Sequence, residues 1–292
     1  MTRLIIDTDV ALGVWHDGRP RDIDDGFAIV EAINATAIDL VGITCVYGNG
    51  PIDEVYRVAQ EIVSLKASDV PVVRGAAEKM SKTPDTNPAV EFLAAALEEA
   101  PATIAAIGPL TNIGILLRDH PHLAPKIQEV IIVAGRTPGN EFFIGDAGPV
   151  NDFNFENDTH AAEILMQSGV PVVCMGFELT SQVCVTAQDL ETIHNHPGDT
   201  ANYFYENSLA WCTYWTDTFP NDAGFHPWDS AAIAWLLNKN WFQFEARGCE
   251  IVHDPKRFNC GVDISGTQHT YVHGFSAGGD QAFVEGVIRE VY

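Results

Sequence analysis

Four aspartates near the start of the chain have the type and spacing to bind a cation. Asp7 and Asp9 follow the short apolar run Leu4 to Ile6, and Asp24 and Asp25 begin a stretch with apolar residues at helical spacing. Carboxylates brought this close together repel one another unless a positive charge neutralises them. A hard divalent cation bound by oxygen atoms would neutralise such a group, so the stretch predicts a metal site.

The alternative is that these carboxylates are helix caps or part of a generally acidic surface. A single aspartate at the start of a helix, such as Asp24 or Asp25, is more often a cap than a metal ligand. Capping uses one side chain per helix, however, so it does not explain the whole group. We therefore interpret the cluster as functional.

Alternating strand-like and helix-like stretches must position this cluster. Apolar runs such as Leu40 to Tyr47 and Thr103 to Ile107 alternate with helical patterns such as Ile52 to Ala67. This alternation predicts an α/β fold with a mostly parallel, Rossmann-like central sheet flanked by helices. We find no linker and no repeat, so a single domain over residues 1–292 is expected. Ligands of such sheets bind beyond the carboxyl ends of the strands, where this sequence has polar residues at Asp7, Asp9, Asn49, Thr111 and Asn112.

Two stretches are predicted to be loops near the site. Residues Arg136 to Asp158 lack periodicity and are rich in Gly, Asn, Asp and Phe, and a loop of this length in a compact domain is usually functional. The stretch Val10 to Arg21 has glycines and a proline around Trp15 and His16, which is the composition of a loop. We predict that Val10 to Arg21 forms a flap over the pocket and takes no part in the metal site.

Composition excludes several classes of function. The 292 residues are 46% hydrophobic, which is enough for a large core, and the net charge is −24 with only 16 Lys and Arg. So acidic a chain is not expected to bind nucleic acid or an anionic membrane. The sequence has no signal-peptide pattern and no membrane-spanning run, and its six cysteines show no close pairing. We expect a cytoplasmic protein with reduced, mostly structural thiols.

The order of the motifs resembles the nucleoside hydrolases, which are calcium-dependent ribohydrolases that cleave the N-glycosidic bond of nucleosides. The similarity runs from about Leu4 to Leu237. It implies the nucleoside hydrolase fold, a role in nucleoside salvage, and a homodimer or homotetramer. The motifs that carry it are Asp7-Thr8-Asp9, Ile23-Asp24-Asp25, Gly48-Asn49, Gly108 to Asn112, Gly145-Asp146 through Asn154, and Trp228-Asp229.

The resemblance also implies roles for individual residues. Asp9 would be the general base of the reaction. The ligands of Ca²⁺ would be Asp9, Asp25, Asp229 and the backbone carbonyl of Thr111. The substrate site would consist of Asp24 and Asn154 on the ribose hydroxyls, together with Asn49, Asp146, Asp152 and Trp228. The chemistry agrees, because a cation lowers the pKa of water and carboxylates stabilise an oxocarbenium-like transition state.

Four features depart from the family's pattern. The stretch before Asp24 is longer than usual, and Ala134 stands where methionine is common. Asp146 and Asp152 replace an asparagine and a glutamate that usually address the 5′ end of the sugar. Trp228 stands where many members have a histidine that protonates the base. A tryptophan there resembles the purine-preferring branch, in which aromatic rings stack on the base, so we predict a preference for purine nucleosides over uridine.

Alternatives remain open for these residues and for the function. Trp228 could be core packing, Trp211 and Trp215 at i, i+4 could form only a buried face, and His226 could be a displaced acid. Asp7-Thr8-Asp9 also resembles the opening of the Mg²⁺-dependent haloacid-dehalogenase-type phosphatases, although we find no convincing catalytic lysine with its acidic loop. A further alternative is a nucleoside-binding protein that has lost turnover.

Overall fold

The structure, a computed structural model, describes residues 1–81, 86–144 and 148–292. The strands are β1 (Thr2–Thr8), β2 (Trp15–His16), β3 (Arg19–Pro20), β4 (Ile38–Cys45), β5 (Val72–Val73), β6 (Ala102–Ala106), β7 (Ile127–Val133), β8 (Val172–Met175), β9 (Val185–Thr186), β10 (Gly224–Phe225), β11 (Phe242–His253), β12 (Lys256–Gly261) and β13 (Gln268–Phe275). The helices are α1 (Asp24–Asn34), α2 (Ile52–Leu65), α3 (Pro88–Glu99), α4 (Thr111–Asp119), α5 (Phe153–Asn157), α6 (Thr159–Gln167), α7 (Phe177–Thr180), α8 (Ala187–His194), α9 (Asp199–Thr218), α10 (Ser230–Leu237) and α11 (Gly279–Arg289). Within the described ranges, no helix is long and apolar enough to cross a membrane.

A nine-stranded sheet forms the centre of the molecule, in the order β12-β11-β13-β8-β7-β6-β1-β4-β5. The strands from β13 to β5 are parallel to one another, whereas β11 and β12 are antiparallel to their neighbours. The residues of β6 are buried throughout, as expected for a parallel strand covered on both faces by helices. The predicted α/β fold with a mostly parallel central sheet is therefore confirmed.

Most predicted elements are present, with ends that differ by a few residues. The strand predicted over Leu40 to Tyr47 is β4, and the helix predicted over Ile52 to Ala67 is α2. Helix α8 begins with a capping box, since the Thr186 side chain accepts from the Asp189 N–H and the Asp189 carboxylate accepts from the Thr186 N–H. The edge strand β12, which forms a hairpin with β11, lies outside the predicted elements.

The predictions for the two loops are wrong in part. Residues Trp15 to Pro20 form a hairpin of β2 and β3, and its turn is Asp17-Gly18, where both residues have positive φ (53° and 75°). An Asp-Gly pair is a strong signal for a two-residue hairpin, so this turn can be predicted from the sequence. Within the predicted loop Arg136 to Asp158, the structure contains the short helix α5. The first part of the predicted flap belongs to the hydrophobic core, through Val10, Ala11, Leu12 and Val14.

Glu31 on α1 is a buried acid, and it predicts how stability depends on pH. Its side chain is 3% exposed, and burial raises its pKa from the usual 4.5 to about 8. Between these two values the folded protein holds a proton that the unfolded chain has released. The folded state is therefore stabilised fully by protonated Glu31 below pH 4.5. This contribution to the free energy of unfolding is lost as the pH rises through 8.

Replacement of Glu31 by glutamine should remove this loss, because the amide is neutral at every pH. We expect Glu31→Gln to be more stable than wild type at pH 8 by a few kcal/mol, since a tenfold difference in proton affinity corresponds to about 1.4 kcal/mol, and close to wild type at pH 4.5. Urea unfolding at both pH values measures the difference. The control is Glu98→Gln, an exposed acid of α3. Equal stability of Glu31→Gln and wild type at pH 8 would contradict the assignment of a buried, protonated Glu31.

Candidate active site

Asp9, Asp24, Asp25 and Asp229 come together beyond the carboxyl end of β1. Asp9 directly follows this strand, and its Oδ2 accepts a hydrogen bond from the N–H of Asn49 at 2.6 Å. The Asp9 N–H donates to Asp25 Oδ1 at 3.2 Å, and the Thr8 hydroxyl donates to the same oxygen. Asp24 Oδ2 accepts from the N–H of Asp229 at 2.9 Å, which ties the start of α1 to the segment before α10.

This group of carboxylates has the donor set for a hard cation. One oxygen each from Asp24, Asp25 and Asp229 lies within 4.8 Å of the others. Asp9 Oδ1 and Asp25 Oδ2 are buried and have no hydrogen-bond partner among the described residues. Burial and the charges of Asp25 and Asp24 raise the pKa of Asp9 well above its usual value, and burial raises that of Asp25 to about 7. A bound cation would reverse these shifts, so the residues fit a divalent metal ion.

Asp7 and Asn112 brace the strand ends that carry this group. Asp7 Oδ1 accepts from the Thr44 hydroxyl at 2.5 Å and from Asn112 Nδ2 at 2.8 Å. Asn112 Nδ2 also donates to the carbonyl of Cys45 at 3.0 Å, which links α4 to β4. Thr111 is buried, and its hydroxyl donates to Asp158 Oδ2 at 2.7 Å. The proposed role of its carbonyl as a ligand stays a prediction.

A cavity of about 470 Å³ opens above the carboxylates. Asp25 and Thr111 are not among its lining residues, and Asp146 lies outside the described residues. Seven of the residues that the sequence analysis assigned to the site line this cavity: Asp9, Asp24, Asn49, Asp152, Asn154, Trp228 and Asp229.

Helix α5 and the residue before it bring Asn154 and Asp152 to the cavity. Asn154 Nδ2 donates to the carbonyl of Ile107 at 2.9 Å, at the end of β6, so the amide is held in one orientation. Asp152 Oδ2 accepts from the N–H of Gly135 at 3.0 Å. Burial raises the pKa of Asp152 to about 7. Both side chains are thus positioned by backbone groups that follow the central strands.

Aromatic side chains form one wall of the cavity, which we call the aromatic wall: Trp211, Tyr214, Trp215, Phe219 and Trp228. Trp215 and Trp228 are in edge contact, with ring centroids 5.2 Å apart. The indole N–H groups of Trp211 and Trp228 are buried and have no hydrogen-bond partner among the described residues. Trp211 and Trp215 are buried, as expected for a buried helix face, and they also line the cavity.

His226 lies behind the aromatic wall and does not line the cavity. It is 4% exposed, and its ring lies 5.3 Å from that of Trp228. Its Nδ1 is 2.6 Å from the carbonyl of Val183, and its Nε2 is 3.2 Å from Asp222 Oδ2. Both ring nitrogens therefore face acceptors inside the protein, and neither is directed at a substrate in the cavity.

The hairpin of β2 and β3 contributes residues to the cavity that the sequence analysis did not assign to substrate binding. Arg19, Pro20 and Arg21 line the cavity, as does Asp22, and Arg19 Nη1 donates to the hydroxyl of Tyr214 at 3.2 Å. Phe142 and Phe177 also line the cavity and were not predicted to do so. No local sequence pattern indicates this position, because only packing brings these residues to the cavity. Their rings are stacked 4.0 Å apart.

The hairpin can be shortened without cutting into the core. The N–H of Arg21 donates to the carbonyl of Val14 at 3.0 Å, so two Gly residues in place of Trp15 to Pro20 can close the chain. We expect the shortened protein to keep its metal affinity and to raise KM by about tenfold, or about 1.4 kcal/mol, because the cavity loses lining residues but none of the carboxylates. Metal titration and steady-state kinetics measure the two effects. Loss of metal binding would show that the hairpin is part of the metal site.

The known proteins that resemble this chain are nucleoside hydrolases and a nucleosidase. The profile of the family described as inosine-uridine preferring nucleoside hydrolase matches residues 4–278. The pyrimidine-specific ribonucleoside hydrolase RihA of Citrobacter koseri is 31% identical over 260 residues, which cover 80% of this chain and 81% of that protein. The probable uridine nucleosidase 1 of Oryza sativa subsp. japonica is 26% identical, over 83% of this chain and 79% of that protein. The purine-preferring ribonucleoside hydrolase from Gardnerella vaginalis has the same fold, with a TM-score of 0.84 at 19% identity over 99% of this chain and 98% of that one.

Proposed function

The chain belongs to the inosine-uridine preferring nucleoside hydrolase family and is a glycosyl hydrolase that acts on ribonucleosides, and from this premise we propose that it is Ca²⁺-dependent and prefers purine nucleosides. The products would be the free base and ribose. The observation that carries the base preference is the aromatic wall beside the carboxylates, with His226 turned away from the cavity. The family assignment removes the phosphatase alternative.

The donor set consists of oxygen atoms, which suit a hard cation such as calcium. The oxygens available are those of Asp9, Asp25 and Asp229, with the Thr111 carbonyl as a further ligand, and hard cations such as Ca²⁺ prefer oxygen ligands. Asp25 Oδ2, which is buried and has no partner among the described residues, supports the assignment. Bound there, Ca²⁺ would supply charge that lowers the pKa of a water molecule and of the surrounding carboxylic acids.

Asp9 is the residue we assign as general base. Its Oδ2 is held by the N–H of Asn49, whereas Oδ1 has no partner among the described residues and is free to accept a proton. In the reaction, the oxygen of water forms a bond to the anomeric carbon and its proton moves to Asp9. The bond from that carbon to the base breaks, and its electron pair stays on the base, which takes up a proton from solvent. Asp24 and Asn154 would bind the ribose hydroxyls, and the negative charge nearby would stabilise the oxocarbenium-like transition state.

No histidine is among the described residues that line the cavity, so the base must leave without a histidine acid. Purines have a basic ring nitrogen remote from the glycosidic bond, and a protonated ring is held more strongly over an aromatic face than a neutral one. The rings of Trp211 and Trp228, which both line the cavity, support binding of such a base. Uracil offers no equivalent basic nitrogen, so uridine should react more slowly.

Pyrimidine preference is the second candidate. Two relatives by sequence are named as pyrimidine-specific or as a uridine nucleosidase, at 31% and 26% identity. These names describe those proteins, and identity at this level leaves the base pocket free to differ. The aromatic wall favours purines in this chain.

A nucleoside panel with and without metal tests the proposal. Release of reducing sugar from inosine, guanosine, adenosine, uridine and cytidine should be measured in protein stripped by a chelator and then supplied with Ca²⁺ or Mg²⁺. We expect purine nucleosides to have the higher kcat/KM and Ca²⁺ to restore activity. Uridine as the best substrate would overturn the purine assignment, and full activity in the stripped protein would overturn the metal assignment.

A further inference from the structure

Three cysteine side chains from three different strands converge at a second location in the sheet. They are Cys174 on β8, Cys249 on β11 and Cys260 on β12, and their Sγ atoms all lie within 4.8 Å of one another. The Sγ atoms of Cys249 and Cys260 are 3.1 Å apart. Cys174 and Cys260 are buried, whereas Cys249 is partly exposed and offers a way in from solvent. We call this group the thiol cluster.

The fold brings the three thiols together without a bond between them. Cys249 and Cys260 lie directly opposite one another in the hairpin of β11 and β12. The Cys260 N–H donates to the carbonyl of Arg136 at 2.7 Å and so points away from β11. The pair is therefore of the non-hydrogen-bonded type, in which opposite side chains are closest. The contact with Arg136 also holds β12 against the segment after β7 and thus brings the hairpin near Cys174.

A buried imidazole and a guanidinium lie beside the thiol cluster. His269 on β13 is opposite Arg247, two residues from Cys249 along β11, so both side chains are on the same face of the sheet as Cys249. His269 is 5% exposed, and its Nδ1 has no hydrogen-bond partner among the described residues. Arg247 Nη1 donates to the carbonyl of Cys260 at 3.2 Å. A buried nitrogen without a partner calls for an explanation, and a bound ion is one.

We propose that the thiol cluster binds one thiophilic d¹⁰ metal ion, Zn²⁺ or Cu⁺, and that His269, which lies outside the 4.8 Å group of sulfur atoms, turns toward the ion as fourth ligand when the ion is Zn²⁺. Thiolates select these ions, and three cysteines with one histidine are a common tetrahedral set for zinc. The three thiols release their protons as the ion binds. The resulting complex is anionic, and the guanidinium of Arg247 offsets its charge. This site is chemically distinct from the carboxylates of the cavity, which select hard cations.

The ion would add a direct link between elements that are distant in the sequence. It would join the antiparallel hairpin to β8, next to the Gly135-Arg136 segment. Gly135 donates its N–H to Asp152, a residue of the cavity, at 3.0 Å. Binding to the folded state alone raises stability, so loading with metal should raise the midpoint of thermal unfolding.

Titration of the reduced, metal-free full chain with Zn²⁺, and separately with Cu⁺, tests this inference. Competition with a chelating dye gives affinity and stoichiometry, and alkylation followed by mass spectrometry gives the protection of each thiol. We expect one equivalent of metal per chain and protection of all three cluster cysteines. Absence of stoichiometric binding of either ion, or a Cys249–Cys260 disulfide in place of bound metal, would overturn the proposal.

Variants identify the ligands. Cys249→Ser should weaken binding by at least about 100-fold, because loss of a ligand exceeds the effect seen when a group behind a ligand is lost. Cys184→Ser, another partly buried free cysteine, is the matched control and should bind as wild type does. His269→Ala should weaken Zn²⁺ but not Cu⁺, which three thiolates satisfy. If Cys249→Ser binds metal as tightly as wild type does, the site is contradicted. If that variant does not fold, the protection of the three wild-type cysteines from alkylation tests whether they bind the metal.

The two metal sites can be separated in one protein. Asp229→Asn should keep the Zn²⁺ or Cu⁺ of the thiol cluster, because its side chain belongs to the carboxylate group. Loss of thiol-bound metal from Asp229→Asn would contradict an independent site. A failure of the thiol cluster to bind metal would leave the proposed hydrolase activity and its Ca²⁺ dependence untouched.

Discussion

Replacement of Asp9 by asparagine is expected to lower kcat for ribonucleoside hydrolysis by about 100- to 10,000-fold, the usual contribution of a general base. The amide cannot accept the proton of the attacking water, and it weakens the carboxylate group that binds the cation. The fold should survive, because Asn can still accept the hydrogen bond that the Asn49 N–H donates to Asp9 Oδ2 at 2.6 Å. Loss of one charge also relieves repulsion with Asp24 and Asp25.

Kinetics with inosine, together with circular dichroism and Ca²⁺ titration, measure these effects. The control is Asp39→Asn, an exposed aspartate on β4 that is remote from the cavity lining. It should have the activity of wild type. Full activity in Asp9→Asn would exclude Asp9 as the base. A variant that binds inosine and Ca²⁺ normally but turns over slowly would separate the role in proton transfer from the role in metal binding.

Truncation of Trp228 to alanine should reduce kcat/KM for inosine by about 5- to 150-fold, which corresponds to the 1–3 kcal/mol typical of one base stacked on an aromatic ring. Trp228 lines the cavity, so its ring can contact the base. The rate with uridine should fall less, because a smaller, neutral ring gains less from stacking.

His226→Ala provides the comparison that separates stacking from acid catalysis. Since both nitrogens of His226 face acceptors inside the protein, its loss should affect catalysis only through the packing of Trp228, and less than Trp228→Ala does. Phe244→Ala, a half-exposed aromatic on β11, controls for general loss of an aromatic side chain. A larger loss in His226→Ala than in Trp228→Ala, with uridine the better substrate, would mean that a histidine acid operates.

Much of the fold can be predicted because its signals are local. Apolar runs of strand length alternate with helical patterns, and this alternation alone determines a mostly parallel sheet. The position of Asp9 after β1 and of Asp24 and Asp25 at the start of α1 follows from the same pattern. Since strand ends of a parallel sheet meet at one edge, the grouping of these carboxylates was also predictable. The Asp17-Gly18 pair is also a local signal, for a hairpin turn, although the composition of Val10 to Arg21 predicts an irregular loop.

Contacts between distant parts of the chain are determined only by the tertiary structure. His226 is two residues from Trp228, and nothing local indicates that its nitrogens face Val183 and Asp222 while Trp228 faces the cavity. Cys174 is 75 residues before Cys249. These thiols come together only because β12 is hydrogen-bonded to the segment after β7. Periodicity tells which face of an element is buried, because it depends on neighbouring residues. Which residues meet across elements depends on sheet order and register, and these emerge only when the whole chain packs.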